Sequence, residues 1–368
     1  MRITDLTVFS YQAHYNHGTY SMSNGRTSGG HPSIVIRIRT DSGIEGWAEN
    51  APLGSDYLPS TFTGELAALK EVGPLIIGLD PRSPAAISAK LDRAIMSGMA
   101  AKSIIDMACW DILGKSVGLP THVLLGGGLA DSAPAFSVIG FGEVADAVQK
   151  AKAEYEGGAV AMQLKIGDDP LVDARRVRAI REALPESVYL FADANANWTL
   201  AQALIYARAL GQDTTVTFEQ PCRTISECAQ VVRLTGLPVI VDEPIYTVAD
   251  LVEAHAAGIT GVNIKLSRVG GITKARIMRD TAEALGMTIN IDDTWGCALT
   301  TAQNLQIACS TSPSRLGACD CYAEWTNPMI ADVPRMQSNG RVALPLLPGN
   351  GFGNVNVEIL GEPLFKIT

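Results

Sequence analysis

The stretch MQLKIG, residues 162–167, runs an apolar segment into a lysine and then a glycine. A buried strand that ends on an ammonium group puts a charge where it costs free energy, unless a partner or a task offsets it. Six later runs end in the same way: VYLFAD on Asp193, TVTFE on Glu219, LPVIVD on Asp242, GVNIK on Lys265, MTINID on Asp292 and LGACD on Asp320. Successive members of this series, starting from Lys165, are 23–28 residues apart. That is about the length of one strand–helix unit. Amphipathic segments such as PLVDARRVRAIREAL fill the intervals at helical periodicity. With APAFSVIGF ahead of them, strand and helix alternate about eight times. The pattern predicts a parallel α/β barrel of the (β/α)7β, TIM type. An open doubly wound sheet fits less well, because no G-x-G-x-x-G follows the first strand and the repeat outlasts five or six strands.

The first third of the chain has another texture. IVIRIRTDSGIEGWAE alternates apolar and polar residues across a DSG turn, a hairpin pattern, and residues 1–60 read as β. Residues 63–120 read as helical. LDRAIMSGMAAKSIIDMACWDILGKSVG keeps helical spacing until Gly118-Leu119-Pro120 stops it. The expected organisation is an α+β capping unit over 1–128, the barrel over 129–327, and a segment over 328–368 that returns to the cap.

Composition narrows the function classes. The chain has 368 residues, 47% of them hydrophobic, and a net charge of −9 without a basic run. No nucleic-acid surface is expected, and no apolar stretch approaches the roughly 20 residues of a membrane span. The start, MRITDLTVFSYQAHY, lacks the pattern of a signal peptide. Seven scattered cysteines suit free thiols and a cytoplasmic location better than a disulfide framework. The C-x-C pair Cys319 and Cys321 has no second pair with which to form a zinc site, so these read as small buried hydrophobes.

In a parallel barrel the carboxyl ends of the strands share one mouth, so the strand-end residues should form a ring. Asp193, Glu219 and Asp242 would stand on three consecutive strands. Any one strand-end carboxylate is most simply a helix cap. Three side by side repel one another and suit a hard divalent cation such as Mg²⁺. Lys165 and Lys265 end the flanking strands and would face each other across the ion. A lysine beside another cation and out of bulk water has a depressed pKa and can serve as a base. One lysine would take the α-proton of a small-molecule carboxylate; the other would return a proton or protonate a leaving group. Salt bridges from the lysines to neighbouring carboxylates are compatible with that role. A non-catalytic barrel acting as a binding module should break at least one of these five positions. A Schiff-base barrel would need a single lysine and no metal.

These motifs resemble the enolase superfamily, in its muconate-lactonizing-enzyme-like branch. The matches are QLKIG, FADANANW, FEQP, VDEP and NIKLSRVGG on the second to sixth barrel strands, and DMACWDILGKSVGLP ahead of the barrel. The resemblance implies a capping domain on a modified barrel and a homo-oligomer. It also implies Asp193, Glu219 and Asp242 as Mg²⁺ ligands, Lys165 and Lys265 as the acid/base pair, Asn195 beside the metal or the substrate carboxylate, and Glu243 behind the ligands.

Two departures bear on the substrate. Many relatives carry K-x-K on the second strand, whereas here position 163 is Gln, which should still face the mouth. None of the five histidines lies at a strand end, so a histidine base and a His-rich binuclear hydrolase centre are not expected. Specificity should come from the loops at 14–30 and 51–60. Tyr57, Trp295 and Trp325 are candidate pocket aromatics able to enclose a cationic nitrogen. Together with Gln163, Asp292 and Asp293 they point to a cyclic amino acid. DDTWG and the aromatic segment after the eighth strand resemble superfamily members acting on proline derivatives. That resemblance implies either loss of water from a hydroxylated proline, with some epimerisation of proline-like compounds, or 2-epimerisation of a proline or hydroxyproline betaine.

Overall fold

The computed structural model describes residues 1–21, 27–54, 57–211 and 215–368. Parts of both specificity loops, residues 22–26 and 55–56, lie outside the described residues. The chain opens with β1 (Ile3–Tyr15), β2 (Gly30–Thr40) and β3 (Glu45–Asn50), paired antiparallel in that order. Three helices follow: α1 (Phe62–Val72), α2 (Pro84–Ala94) and α3 (Met99–Val117). The helical pattern expected through residues 91–118 is broken between α2 and α3. The break is at Gly98, whose φ of 67° lies in the left-handed region that glycine tolerates best.

Most of α3 is buried, as expected of a helix that is apolar nearly all round. On one side it meets the antiparallel sheet closely enough that a Cβ on Gly46 would lie 2.2 Å from the Ala108 carbonyl. On the other it is bonded to the barrel. Ser103 Oγ donates to Leu266 O at 2.9 Å, and Trp110 Nε1 donates to Thr273 Oγ1 at 2.9 Å.

The barrel strands are β4 (Phe136–Ile139), β5 (Ala161–Lys165), β6 (Tyr189–Asp193), β7 (Val216–Glu219), β8 (Val239–Val241), β9 (Gly261–Lys265), β10 (Thr288–Asp292) and β11 (Leu316–Cys319). They form one parallel sheet in sequence order, and a bridge between Ala135 and Cys319 links its two edges. The result is a barrel, not an open sheet. Between them run α4 (Val144–Glu156), α5 (Pro170–Ala183), α6 (Leu200–Leu210), α7 (Ile225–Thr235), α8 (Val248–Ala256), α9 (Ile272–Ala284) and α10 (Ala298–Ala308). Beyond the barrel, β12 (Thr326–Asn327) and β13 (Phe365–Ile367) both pair antiparallel with β1.

The helix caps decide a point of chemistry. After β6, β7 and β8, helices α6, α7 and α8 are capped by Thr199, Thr224 and Thr247, each in a reciprocal capping box. The carboxylates at the ends of those strands are therefore not spent as caps. All seven cysteines are free and buried. Among the described residues no helix is long and apolar enough to cross a membrane.

Candidate active site

Strand register sets the ring. Lys165 lies opposite Asp193, Asp193 opposite Glu219, and Lys265 opposite Asp292. Asp242 and Asp320 each come one residue after their strand. Both lysines are almost fully buried, at 7% and 6% exposure. A small cavity of about 50 Å³ at the barrel mouth is lined by Lys165, Lys265, Gln163, Asp193 and Asn195, and by the acids Asp292, Asp293 and Asp320. Tyr57, Trp295 and Trp325 line the same cavity.

The polar atoms form a continuous network. Lys165 Nζ lies 2.5 Å from Asp193 Oδ2 and donates to Asn195 Oδ1 at 3.2 Å. Gln163 Nε2 donates to Asp193 Oδ2 at 3.2 Å and to Glu219 Oε2 at 2.9 Å. Asp242 accepts from Tyr57 Oη at 2.9 Å and from Arg268 Nη1 at 2.6 Å. Lys265 Nζ lies 2.6 Å from Asp292 Oδ2 and 3.6 Å from Asp242 Oδ2. The backbone is also constrained here: Asn195, Ala196 and Gln220 adopt φ values of 45°, 58° and 34°. Positive φ in non-glycine residues is costly and gathers at functional sites.

Electrostatics follow from crowding. Burial, then Asp193 and Asp242, push Glu219 well above the ordinary carboxylate range. Burial and the neighbouring Asp242 raise Glu243 to about 8. For Asp242 burial acts upward, but Arg268 and Lys265 outweigh it and hold the group low. Lys265 is governed by the carboxylates around it. Burial disfavours its ammonium, yet Asp242 and Asp292 more than compensate and hold it well above the usual lysine range.

The donor set at Asp193, Glu219 and Asp242 has the chemistry of a divalent-cation site: three adjoining buried carboxylates whose mutual repulsion is visible at Glu219. In the arrangement described they share N–H and O–H donors instead. Among the described residues no group of three His, Cys, Asp or Glu side chains is placed to hold an ion.

Trp295 is wedged against Tyr15, His31 and Tyr322 as well as Trp325, so it joins the cap to the barrel mouth. The Tyr57 ring already faces a cation, with Lys265 Nζ 5.4 Å from its centroid. Asn263, which donates to Glu219 Oε1 at 2.8 Å and to Asp292 Oδ2 at 3.2 Å, Arg268 and Tyr322 join the site without a signal in the strand-end spacing. Arg268 lies in the quoted NIKLSRVGG, but a spacing argument places only strand ends, and this side chain returns from a short helical turn to reach Asp242. Tyr322 lies three residues past β11 and donates to Asp292 Oδ1 at 2.6 Å.

A barrel whose mouth carries flanking lysines and three central carboxylates under a cap has close counterparts. Residues 144–354 match the family described as enolase C-terminal domain-like. Residues 5–126 match the mandelate racemase/muconate lactonizing enzyme N-terminal domain. The chain belongs to this enolase superfamily and is an enzyme of its muconate-lactonizing-enzyme-like branch. It is 37% identical to a cis-3-hydroxy-L-proline dehydratase of Roseibium aggregatum, over all of both chains. It is 27% identical to an N-succinyl-L-Arg/Lys racemase of Bacillus cereus, over 90% of each. A mandelate racemase/muconate lactonizing enzyme of Roseovarius nubinhibens, solved in complex with magnesium, superposes with a TM-score of 0.95 at 30% identity, covering both chains entirely.

Proposed function

We propose that this chain is a Mg²⁺-dependent hydro-lyase that removes the α-proton of a proline-derived carboxylate and eliminates water, converting cis-3-hydroxy-L-proline to Δ1-pyrroline-2-carboxylate. One observation carries this reading: two buried lysines, on strands flanking the three carboxylate strands, line the same small cavity. Full-length similarity to a dehydratase of that substrate supports the choice of substrate.

Asp193, Glu219 and Asp242 would hold the cation, which supplies positive charge for the substrate carboxylate as electrons move toward it. The chain's own side chains do the rest. In cis-3-hydroxy-L-proline the hydroxyl shares a ring face with the carboxylate, so the α-hydrogen is on the other face. One lysine, as the free amine, takes that α-proton. The C2–H electrons form the C2=C3 bond, and the 3-hydroxyl leaves as water with a proton from the other lysine, an ammonium. The enamine then tautomerises to the pyrroline. Acid and base on opposite walls match this anti geometry. Asp193 and Asp292 orient the two amines through contacts of 2.5 and 2.6 Å.

A 2-epimerase or racemase acting on a hydroxyproline or proline betaine would use the same pair and return the proton to the α-carbon. The aromatic wall at Trp325 is what favours it. Proton NMR in D₂O with Mg²⁺ separates the readings, using cis-3-hydroxy-L-proline, proline betaine and 4-hydroxyproline betaine. Loss of the α-proton signal with new pyrroline signals supports dehydration. Exchange with inversion supports epimerisation. No change in any of the three overturns the substrate class, and full activity in EDTA overturns the metal requirement.

A further inference from the structure

Two carboxylates of the cavity, Asp293 and Asp320, have no part in the steps above. Asp320 follows β11 and lines the cavity shared by both lysines. Its backbone is fixed on both sides: its N–H donates to Ile291 O at 2.9 Å, and its carbonyl accepts from Asn304 Nδ2 at 3.1 Å. The side chain is only 6% exposed, no N–H or O–H donor reaches its Oδ1, and its polar neighbour is the carboxyl of Asp292. A buried acceptor without a donor is costly. Burial and the neighbouring Asp292 push this carboxyl well above its ordinary range. A cation arriving in the cavity would relieve both penalties.

The other acids are engaged. Asp193, Glu219, Asp242 and Asp292 each accept at least two side-chain donors. Asp293 and Glu243 also have one unpartnered oxygen each. However, Asp293 Oδ1 is tied to the amides of Ser267 and Thr294, and Glu243 does not line the cavity. The substrate carboxylate would be repelled by Asp320, so the substrate nitrogen is the group that suits it.

Building on the function proposed above, we propose that Asp320 binds the ring nitrogen of the substrate as a protonated secondary amine, and selects such amines over their N,N-dimethyl betaine counterparts. A secondary ammonium brings two N–H donors, and one can approach a carboxylate oxygen to roughly 2.8 Å. A quaternary nitrogen has no donor, and its methyl groups hold it away and leave the oxygen unpaired. Such an unmet hydrogen bond is what makes a polar site reject an analogue strongly. The aromatic wall of Trp325 accepts either nitrogen, so the discrimination falls to Asp320.

The test uses the full-length Mg²⁺-loaded enzyme as wild type, Asp320→Asn and Asp320→Ala. Calorimetry measures affinity for L-proline and for proline betaine, kinetics measures kcat/KM on cis-3-hydroxy-L-proline, and thermal melting checks the fold. Wild type should prefer L-proline by about 100-fold. Asp320→Ala should lose about 10- to 100-fold on L-proline while betaine binding holds or improves. Asp320→Asn should fall between, and it carries the comparison if the alanine variant does not fold. Equal weakening of both ligands, or an unchanged preference in the variants, overturns the role of Asp320. Wild-type selectivity for L-proline that depends on Asp320, without conversion of cis-3-hydroxy-L-proline, overturns the dehydratase reading and leaves this subsite standing. Binding of neither ligand overturns both.

Discussion

Tyr322 and Asp292 are joined by a 2.6 Å hydrogen bond from the phenol to Oδ1, while the other oxygen of the same carboxylate lies 2.6 Å from Lys265 Nζ. The phenol therefore aims Lys265 through one intermediary. Tyr322→Phe keeps the ring packed on Trp295 but frees Asp292 to turn. Turnover should fall by about 10- to 100-fold with little change in KM, since small displacements of a reacting group cost that much. Steady-state kinetics on the folded variant checks this; an unchanged kcat contradicts it.

Arg268 is buried and fully committed. It contacts Asp242 Oδ1 at 2.6 Å, Ile245 O at 2.8 Å and Asn263 O at 2.7 Å. Arg268→Ala would take from the buried Asp242 its nearest cation, leaving Tyr57 and the more distant Lys265, and breaking such a pair costs up to about 3–5 kcal/mol. Arg268→Lys should recover little, because one ammonium cannot reproduce the planar fork. Denaturant midpoints of the three proteins test both statements.

Gln163 donates to Asp193 and to Glu219 without adding charge. Gln163→Lys would place a third ammonium among Lys165, Lys265 and a cationic substrate. The KM for a cationic amino acid should rise by about tenfold or more through like-charge repulsion. A lower KM in this variant would count against a substrate that carries a cation.

Asp106 fastens α3 to the barrel, accepting from Thr273 N at 3.0 Å and from Thr273 Oγ1 at 2.5 Å. The fit is close: a Cβ on Gly271, whose φ is +99°, would meet Asp106 Oδ2 at 2.4 Å. Burial raises this carboxyl from 3.8 to about 7. The folded state thus binds the proton more tightly than the unfolded chain. The stability this proton contributes is complete below pH 4 and is lost as pH rises toward 7. Relative to Asp106→Asn, the wild type should lose stability between pH 4 and 8, by a few kcal/mol on the scale of roughly 1.4 per pKa unit. Above that the two should run parallel. Urea titrations across this range check it; parallel curves throughout would contradict it.

Much of the fold was legible because one chemical pattern repeats at one spacing. Lys165, Asp193, Glu219, Asp242, Lys265, Asp292 and Asp320 each end an apolar run, and a barrel brings strand ends to one rim. The caps were harder. Thr199, Thr224 and Thr247 free the carboxylates for other work, but only the structure shows that their boxes close. Partners that cross between elements were not legible. Arg268 reaches Asp242 from a helical turn, Tyr322 reaches Asp292 from beyond β11, and Tyr57 reaches Asp242 from the cap. Spacing along a strand says where a Cβ lies, not where a long side chain from another element ends.

The central claim is that Lys165 and Lys265 act as a pair, and removing each amine in turn tests it most directly. Lys165→Ala and Lys265→Ala, both Mg²⁺-loaded and verified as folded, are assayed for pyrroline formation from cis-3-hydroxy-L-proline. Each should lose at least about 100- to 10,000-fold in kcat, the range supplied by a positioned acid or base. Wild-type turnover in either variant would contradict the two-lysine account.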